Sequence, residues 1–129
     1  MTIDDLGGVT SKLVSLALDA ALLRHEVIAH NVANADTPGF AAKKLSFERE
    51  LAKYMDNGSL NETAFRQDFD ELKLNLTEKT YISPRADAEV QLDQEMIRLT
   101  QNTLHYRALL EANSKRGAII RMAIDGARG

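Results

Sequence analysis

The histidine pair near the N-terminus is the feature most able to support metal chemistry, and its spacing argues against a metal site. The segment His25–His30 resembles the zinc-protease motif, in which two histidines four residues apart share one helical face. Here the spacing is five, which places the two rings about 140° apart on an α-helix. We therefore expect a surface His25 and a helix pair between Glu26 and His30.

The acidic cluster and the remaining composition give no other chemical site. Asp68, Asp70 and Glu71 lack the glycine and terminal glutamate of a calcium loop, so they predict a solvated helix face. The chain has no cysteine, which excludes disulfides, thiol catalysis and cysteine-based metal centres. A net charge of −3 is also unlike the basic excess of a nucleic-acid-binding domain. We expect no catalytic residue, cofactor, metal or small-molecule substrate.

The length and composition predict one mainly helical domain. The 129 residues include 17 Leu and 17 Ala but only two Pro and no Trp, a balance that favours helices over strands. The start Met1–Asp5 is acidic, and charges interrupt the apolar stretch Leu13–Val32. Neither a cleaved secretory signal nor a membrane span is expected from these segments.

A heptad seam at the N-terminal end predicts a helix that packs along another helix. Apolar residues recur there at alternating spacings of three and four. We expect this helix over 1–36, with a first turn weakened by Gly7-Gly8 and a cap at Thr10 or Ser11. The seam residues are Leu6, Val9, Leu13, Leu16, Ala20, Leu23 and Val27.

A second heptad seam predicts a longer helix within the C-terminal segment 85–129. It runs from Ala88 to Ile124, or about 55 Å at 1.5 Å per residue. Asp87 is the expected N-cap and Gly126 the expected C-cap. A chain of this size covers both faces of such a helix poorly. The seam residues are Leu92, Met96, Leu99, Thr103, Tyr106, Leu110, Asn113, Gly117, Ile120 and Ile124.

The middle segment, 37–84, has mixed signals. Phe47–Tyr54 predicts a short helix, and Ser59–Glu62 reads as a capping box that opens another. The alternation of leucine with polar residues over Leu72–Leu76 is a weak strand signal. The fold class we predict is mainly α, with paired terminal helices and a small irregular or partly β middle segment.

The two seams are open to two interpretations. A leucine seam is core in most proteins, which would make this chain an autonomously folded helical adaptor or chaperone; a third option, an enzyme, has no recognisable site. The terminal position of both seams and the length of the second helix favour helices that become fully buried only in an assembly. Circular dichroism and trypsin resistance of the isolated chain would separate these interpretations, because an adaptor should be folded to both ends.

The most distinctive segment ends the first helix in a turn. Thr37 precedes a proline and is pushed out of helical geometry, while Pro38-Gly39 fits the centre of a type II turn with positive φ at the glycine. Asp36 or Asn34 is expected to bond freed backbone amides. The residues that define the segment are Asn31, Asn34, Asp36, Thr37, Pro38, Gly39 and Phe40.

This segment resembles the signature of bacterial flagellar basal-body rod proteins, Asn-[Ile/Val]-Ala-Asn-Ala-Asp-Thr-Pro-Gly-aromatic after a heptad helix. Glu26–Ala29 before it and Leu45-x-Phe47 after it are similar to the member that forms the proximal rod. The stretch Val90–Leu109 is similar to the same member, and Leu109 distinguishes it from the rod protein FlgC.

The resemblance implies a structural subunit rather than an enzyme. Its terminal helices would pair as a coiled coil in a helical rod that crosses the periplasm and transmits motor torque, with the seam residues as assembly contacts. The implied partners are other copies of the chain, FlgC, the basal-body adaptor FliE, the membrane ring and the flagellar type III export apparatus. Export without a cleaved signal peptide would place the chain in the flagellar basal body.

Overall fold

The architecture is a pair of long terminal helices with a small folded segment between them. The computed structural model describes residues 3–56, 62–86 and 89–128, and their side chains over 11–53, 66–86 and 89–115. The elements are α1 (Ile3–Ala33), β1 (Lys43–Leu45), α2 (Phe47–Asp56), α3 (Glu62–Thr77), β2 (Ile82–Pro84) and α4 (Leu92–Arg128). Because α1 packs against α4 more extensively than any other two elements pack together, the predicted mainly α fold with paired terminal helices is confirmed.

The first helix continues through the predicted cap position and ends earlier than predicted. α1 begins at Ile3 and passes through the glycine pair at 7–8, so the predicted cap at Thr10 or Ser11 is wrong. A glycine inside a helix costs only about 1 kcal/mol relative to alanine, which a 31-residue helix tolerates. At the other end α1 stops at Ala33, before the turn that carries the proline.

The core lies between α1 and the middle segment. Leu16 and Ala20 of α1 are almost fully buried there, and burying a leucine side chain is worth about 1.5–3 kcal/mol. The predicted α1 seam therefore packs mainly on its own middle segment, while α4 lies against another side of α1. The buried residues of this cluster are Leu16, Ala20, Leu45, Phe47, Leu72 and Leu76.

The third helix replaces the strand that the leucine alternation suggested. Residues 72–76 lie inside α3, so the strand prediction is wrong. Leu72 and Leu76 are four residues apart and both buried, whereas Leu74 between them is exposed. Helical periodicity therefore decides this segment. The proposed capping residue Ser59 lies outside the described residues.

The strands form elsewhere, on either side of the two middle helices. β1 pairs antiparallel with β2, with Lys43 opposite Pro84 and Leu45 opposite Ile82. The Arg85 amide extends the pairing by donating to the Ala42 carbonyl at 2.8 Å. This short ribbon brings the residue after β2 back to α1.

The last helix begins later and ends later than predicted. α4 starts at Leu92, and its first backbone hydrogen bond runs from the Glu95 amide to the Gln91 carbonyl at 3.0 Å. Gly126 lies inside the helix, which ends at Arg128, so the predicted C-cap is wrong. The proposed N-cap Asp87 is outside the described residues. At 1.5 Å per residue the 37 residues of α4 span about 55 Å. No helix within the described ranges has an apolar window suited to crossing a membrane.

Candidate functional site: an open helix stripe, a polar junction and a basic cleft

The turn after α1 has the predicted geometry. Gly39 has a φ of +76°, and the Phe40 amide donates to the Thr37 carbonyl at 3.2 Å. This confirms a type II turn centred on Pro38-Gly39. A Cβ at Gly39 would meet nothing within 4 Å. The requirement for glycine is therefore one of backbone conformation and not of space.

The polar side chains around this turn act differently from the prediction. Asn34 Nδ2 donates to the His30 carbonyl at 2.9 Å, and Thr37 Oγ1 donates to Asn34 Oδ1 at 3.2 Å. Asn34 therefore satisfies a carbonyl, because the C-terminal end of a helix leaves carbonyls and not amides without partners. In the described part of the chain Asp36 makes no side-chain hydrogen bond, so neither predicted amide contact forms.

The two histidines of the first helix lie on its surface. His25 and His30 are both exposed on α1. The His30 ring packs edge-on against Phe40 at 5.4 Å, and the predicted ion pair with Glu26 does not form between these two described side chains. Over the described residues, no group of three or more His, Asp or Glu side chains could hold a metal ion.

Asn31 fastens the first strand to the first helix. Its side chain is 1% exposed, and it contacts both backbone groups of Lys43: Nδ2 donates to the carbonyl at 2.9 Å, and Oδ1 accepts from the amide at 3.0 Å. A carboxamide offers the same donor and acceptor pair as a peptide group. The Asn31 side chain therefore bonds to the β1 backbone in the way that a neighbouring strand would, although it belongs to α1.

Glu95 of α4 completes a buried polar junction, formed by Asn31, Arg85, Glu95 and Arg98. The Glu95 carboxylate is fully buried. Its Oε1 accepts from Arg85 Nη1 at 2.5 Å and from Arg98 Nη1 at 2.7 Å, and its Oε2 accepts from Asn31 Nδ2 at 3.3 Å. Paired charges and hydrogen bonds are what make a buried carboxylate tolerable. The polar junction joins the end of α1, the residue after β2 and the start of α4.

A second buried amide fixes how α4 lies on α1. Asn102 is 5% exposed, and its Nδ2 donates to the Ala21 carbonyl at 2.8 Å. Its Oδ1 is buried without a hydrogen-bond partner among the described residues. Asn102 and Glu95 are two turns apart on one side of α4, so polar contacts set the register between the two long helices.

The predicted α4 seam lies beside the face that packs on α1. Leu92 and Leu110 are about 60–80° around the helix from the buried residues Glu95 and Asn102. Leu92 is 52% exposed, Met96 47% and Leu110 43%. We call these three residues the open stripe.

The remaining seam residues border these surfaces. Leu99 and Tyr106 are half-buried between the open stripe and the face on α1, and Thr103 is half-buried on the same side of the helix as the stripe. The side chains of Ile120 and Ile124 are outside the described residues. On α1, Leu16, Ala20 and Val27 are buried within the chain itself, and Leu13 and Leu23 are half-buried. Among the seam residues whose side chains are described, those most open to a partner are therefore the members of the open stripe.

A cleft of 290 Å³ lies between α1, β1 and α4, next to the polar junction. Arginine and lysine side chains dominate its charged lining, so we call it the basic cleft. His105 and Gln101 of α4 contribute to its rim. Its charged lining residues are Arg24, Lys43, Lys44, Arg85, Glu95 and Arg98.

Arg24 also joins α1 to α2 through a two-pronged ion pair with Glu48. Arg24 Nη1 donates to Oε1 at 2.6 Å and Nη2 donates to Oε2 at 2.5 Å, while Nη2 also reaches the Leu45 carbonyl at 3.1 Å. Burial raises the pKa of the Glu48 carboxyl, but hydrogen bonds from Arg24 and the Glu48 backbone amide outweigh it and hold the pKa below its ordinary 4.5. His105 contributes a smaller effect in the same direction.

Sequence reasoning missed the polar junction and the basic cleft. Asn31 and Glu95 are 64 residues apart, and local periodicity gives no sign that they meet. The available signal was an Asn inside a heptad helix and a Glu beside an apolar seam, each of which is common on a helix surface.

Comparison with known proteins identifies sequence relatives of this chain. Residues 15–40, which cover most of α1 and the turn after it, match the family model described as flagella basal body rod protein. The chain is 31% identical to the flagellar basal body rod protein FlgB of Bacillus subtilis strain 168 over 120 residues, or 87% of this chain and 90% of that protein. No solved structure gives a significant match.

Two further relatives carry the same name. FlgB of Yersinia ruckeri is 34% identical over 103 residues, covering 70% of this chain and 75% of that protein. FlgB of Escherichia coli strain K12 is 32% identical over 117 residues, covering 76% and 80%. These matches extend far beyond α1 and its turn. The alternative of a soluble adaptor or chaperone gains no support from them.

Proposed function

The chain belongs to the flagellar basal-body rod protein family and is a structural subunit of the rod, and we propose that it occupies the proximal part, as its FlgB relatives suggest. We further propose that it acts without catalysis, by packing its long terminal helices against those of neighbouring subunits. The observation that carries this proposal is the open stripe on α4. In an isolated chain, Leu92, Met96 and Leu110 are about half exposed.

The physical case for an assembly contact rests on how these residues are placed. Single exposed apolar side chains are ordinary, but several aligned on one side of a helix are typical of a binding surface. Leu92, Met96 and Leu110 share one side of α4 and span five turns. Covering them fully would add to the burial that the chain already achieves, at about 25 cal/mol per Å² of apolar surface. A neighbouring helix is the partner that heptad spacing fits best.

Two more exposed residues indicate that α4 meets several neighbours. Ile97 and Leu104 are exposed and lie about 120–140° from Leu92 around the helix. A helix with apolar residues on several sides is typical of a buried position. A subunit inside a helical rod is surrounded in this way, whereas a freely soluble helical pair is not.

The proposed partners and location follow from the family. The chain would contact other copies of itself, the rod protein FlgC, the adaptor FliE and the membrane ring around the rod. It would be exported by the flagellar type III apparatus without a cleaved signal and lie where the rod crosses the periplasm. The polar junction would help it transmit torque, because it ties α1, the ribbon and α4 into one unit.

A charge placed on the open stripe tests the proposal. In a host lacking its own copy of the gene, Leu110→Asp should abolish swimming and remove the chain from purified basal bodies. The reason is that aspartate would bury an unpaired charge in every subunit contact. Because Leu110 is only half-buried in the free chain, Leu110→Asp should fold and still be exported into the medium.

The matched control is Ala112→Asp. Ala112 is exposed, lies on the same helix and is about 160° from Leu110 around the axis, so it receives the same charge away from the open stripe. We expect near-normal swimming and incorporation. Normal incorporation of Leu110→Asp would show that the open stripe is not a subunit contact and would refute the proposed assembly mode.

A further inference from the structure

The structure points to a second, electrostatic contact between subunits: we propose that the basic cleft of one copy receives the acidic face of α3 from the next copy. The acidic face consists of Asp70 and Glu71, which are adjacent and exposed on α3. This inference rests on the proposed function, since it supplies one of the contacts through which identical subunits would assemble. It concerns surfaces distinct from the open stripe.

The basic cleft carries an excess of positive charge in a chain that is negative as a whole. Five of its lining residues are cationic, against one acidic lining residue, Glu95, and a second carboxylate, Glu48, bound to Arg24. The local excess is therefore three positive charges, in a chain of net charge −3. Concave surfaces of one charge sign attract the opposite sign most strongly.

Two lysines hold the part of this charge that is free to bind. Arg85 and Arg98 are already held by the Glu95 carboxylate. Lys43 and Lys44 are exposed at the cleft, and neither forms an ion pair with a residue that the structure describes. They project from β1, whose backbone is held rigidly by Asn31.

The acidic face of α3 offers the matching charge. Asp70 and Glu71 are exposed, and neither forms an ion pair within the described residues. Leu72 and Leu76, which pack in the core, lie about 100–160° from them around the helix. The two carboxylates are therefore presented outward and, like the lysines of the cleft, have no ion-pair partner among the described side chains.

The chain cannot satisfy its own cleft with this face. Phe69 of α3 lies against Lys12 of α1. The cleft is lined by Arg24 and Ile28 of the same helix, so its nearest α1 residue is twelve positions, or about 18 Å, further along. We therefore place the pairing between copies, with unlike surfaces meeting head to tail. Contacts of that kind repeat without closing into a dimer and can build an open helical array.

Charge reversal on each side, and then on both, tests the pairing in the full chain. The cleft variant is Lys43→Glu with Lys44→Glu, and the face variant is Asp70→Lys with Glu71→Lys. All four side chains are exposed, so the unfolding midpoint in urea should stay close to that of the wild type. Each double variant should reduce the amount of chain in purified basal bodies by about tenfold or more, because like charges would then meet at the contact.

The combination of all four substitutions gives the decisive result. It restores opposite charges in reversed order, so incorporation should return to within about twofold of the wild type, given a pairing that is mainly electrostatic. The charge-matched control, Arg49→Glu with Lys53→Glu, reverses two exposed residues of α2 outside the cleft and should assemble normally. Normal incorporation of either double variant, or failure of the combination to recover, would overturn the proposal.

A chemical cross-link tests the same contact without relying on restored incorporation of the four-substitution variant. The chain has no cysteine, so Lys44→Cys with Glu71→Cys adds the only two thiols. A bismaleimide spanning about 10 Å, slightly longer than a disulfide can bridge, should convert assembled subunits into a ladder of covalent multimers. Either single-cysteine variant should give no ladder, and its absence from the double variant in assembled basal bodies would contradict the contact. Loss of incorporation in Leu110→Asp alongside normal charge variants would reject this cleft contact while leaving the proposed function intact.

Discussion

The buried carboxylate of Glu95 should be among the most sensitive positions for the stability of this chain. We consider Glu95→Ala, which removes the group that holds Arg85 at 2.5 Å and Arg98 at 2.7 Å and also accepts from Asn31. The substitution takes away the negative centre of the polar junction. Both guanidinium groups then lose this carboxylate, and the Arg85 side chain is only 9% exposed.

The expected magnitude follows from that burial. Removing one partner of a buried ion pair costs about 3–5 kcal/mol, because the remaining charge stays desolvated. A protein of this kind has a total stability of about 5–15 kcal/mol, so the loss is a large fraction. The exposed pair Lys115–Glu111 gives the contrast: at 3.1 Å its side chains are 73% and 68% exposed, and such a pair contributes about 0–1 kcal/mol.

Urea unfolding followed by circular dichroism is the assay. Glu95→Ala should lower the free energy of unfolding by about 3–5 kcal/mol, and Glu111→Ala by less than about 1 kcal/mol. The free energy of unfolding of Glu95→Gln should lie between those of the wild type and Glu95→Ala, because the amide oxygen still accepts from the arginines. A loss for Glu95→Ala as small as that for Glu111→Ala would refute the view that the polar junction holds α4 to the rest of the chain.

Three further substitutions test the local geometry. Gly39→Val should lower the free energy of unfolding by about 1–2 kcal/mol through its positive φ, and an unchanged urea midpoint would contradict the strain argument. Asn31→Asp should cost more than Asn31→Ala, roughly 2–4 kcal/mol, because it sets a second carboxylate beside Glu95 and an acceptor against the Lys43 carbonyl; the opposite order in urea melts would argue against the assigned contacts. The lowered pKa of Glu48 means that its ion pair stabilises the fold above pH 4.5 and ceases to do so as the pH falls through the folded-state value. The deficit of Arg24→Gln, about 0–1 kcal/mol at this partly exposed site, should therefore shrink between about pH 7 and about pH 3 in urea titrations, and a growing deficit would reverse the assigned sign.

The features that sequence predicted well are those set by local chemistry. Thr37-Pro38-Gly39 predicts its own turn, because proline and a glycine with positive φ leave few alternatives. The long helices also follow from spacing alone, since three- and four-residue intervals fit only a helix. The leucines at 72, 74 and 76 fit the two-residue period of a strand, and those at 72 and 76 also fit the period of a helix. The packing of Leu72 and Leu76 in the core with Leu16 was needed to decide between strand and helix.

The features that sequence could not predict depend on contacts between distant residues. Asn31 contacts Lys43, 12 positions away in sequence, and Glu95, 64 positions away. The two strands that bring Arg85 to them are only three residues long each. For the α4 seam, the sequence predicted the spacing of the apolar residues but not which side of the helix packs on α1. Leu92 and Leu110 share one side of α4, as the spacing predicted. The side of α4 that packs on α1 is instead the one that carries Asn102 and Glu95, so Leu92 and Leu110 stay exposed.

Electron cryomicroscopy of basal bodies purified from the source bacterium would show directly where the chain lies and what covers α4. We expect this chain to fit density within the proximal rod, with α1 and α4 paired and with Leu92, Met96 and Leu110 covered by a helix of a neighbouring subunit. Density for the chain outside the rod, or a rod in which these three residues face solvent, would contradict it.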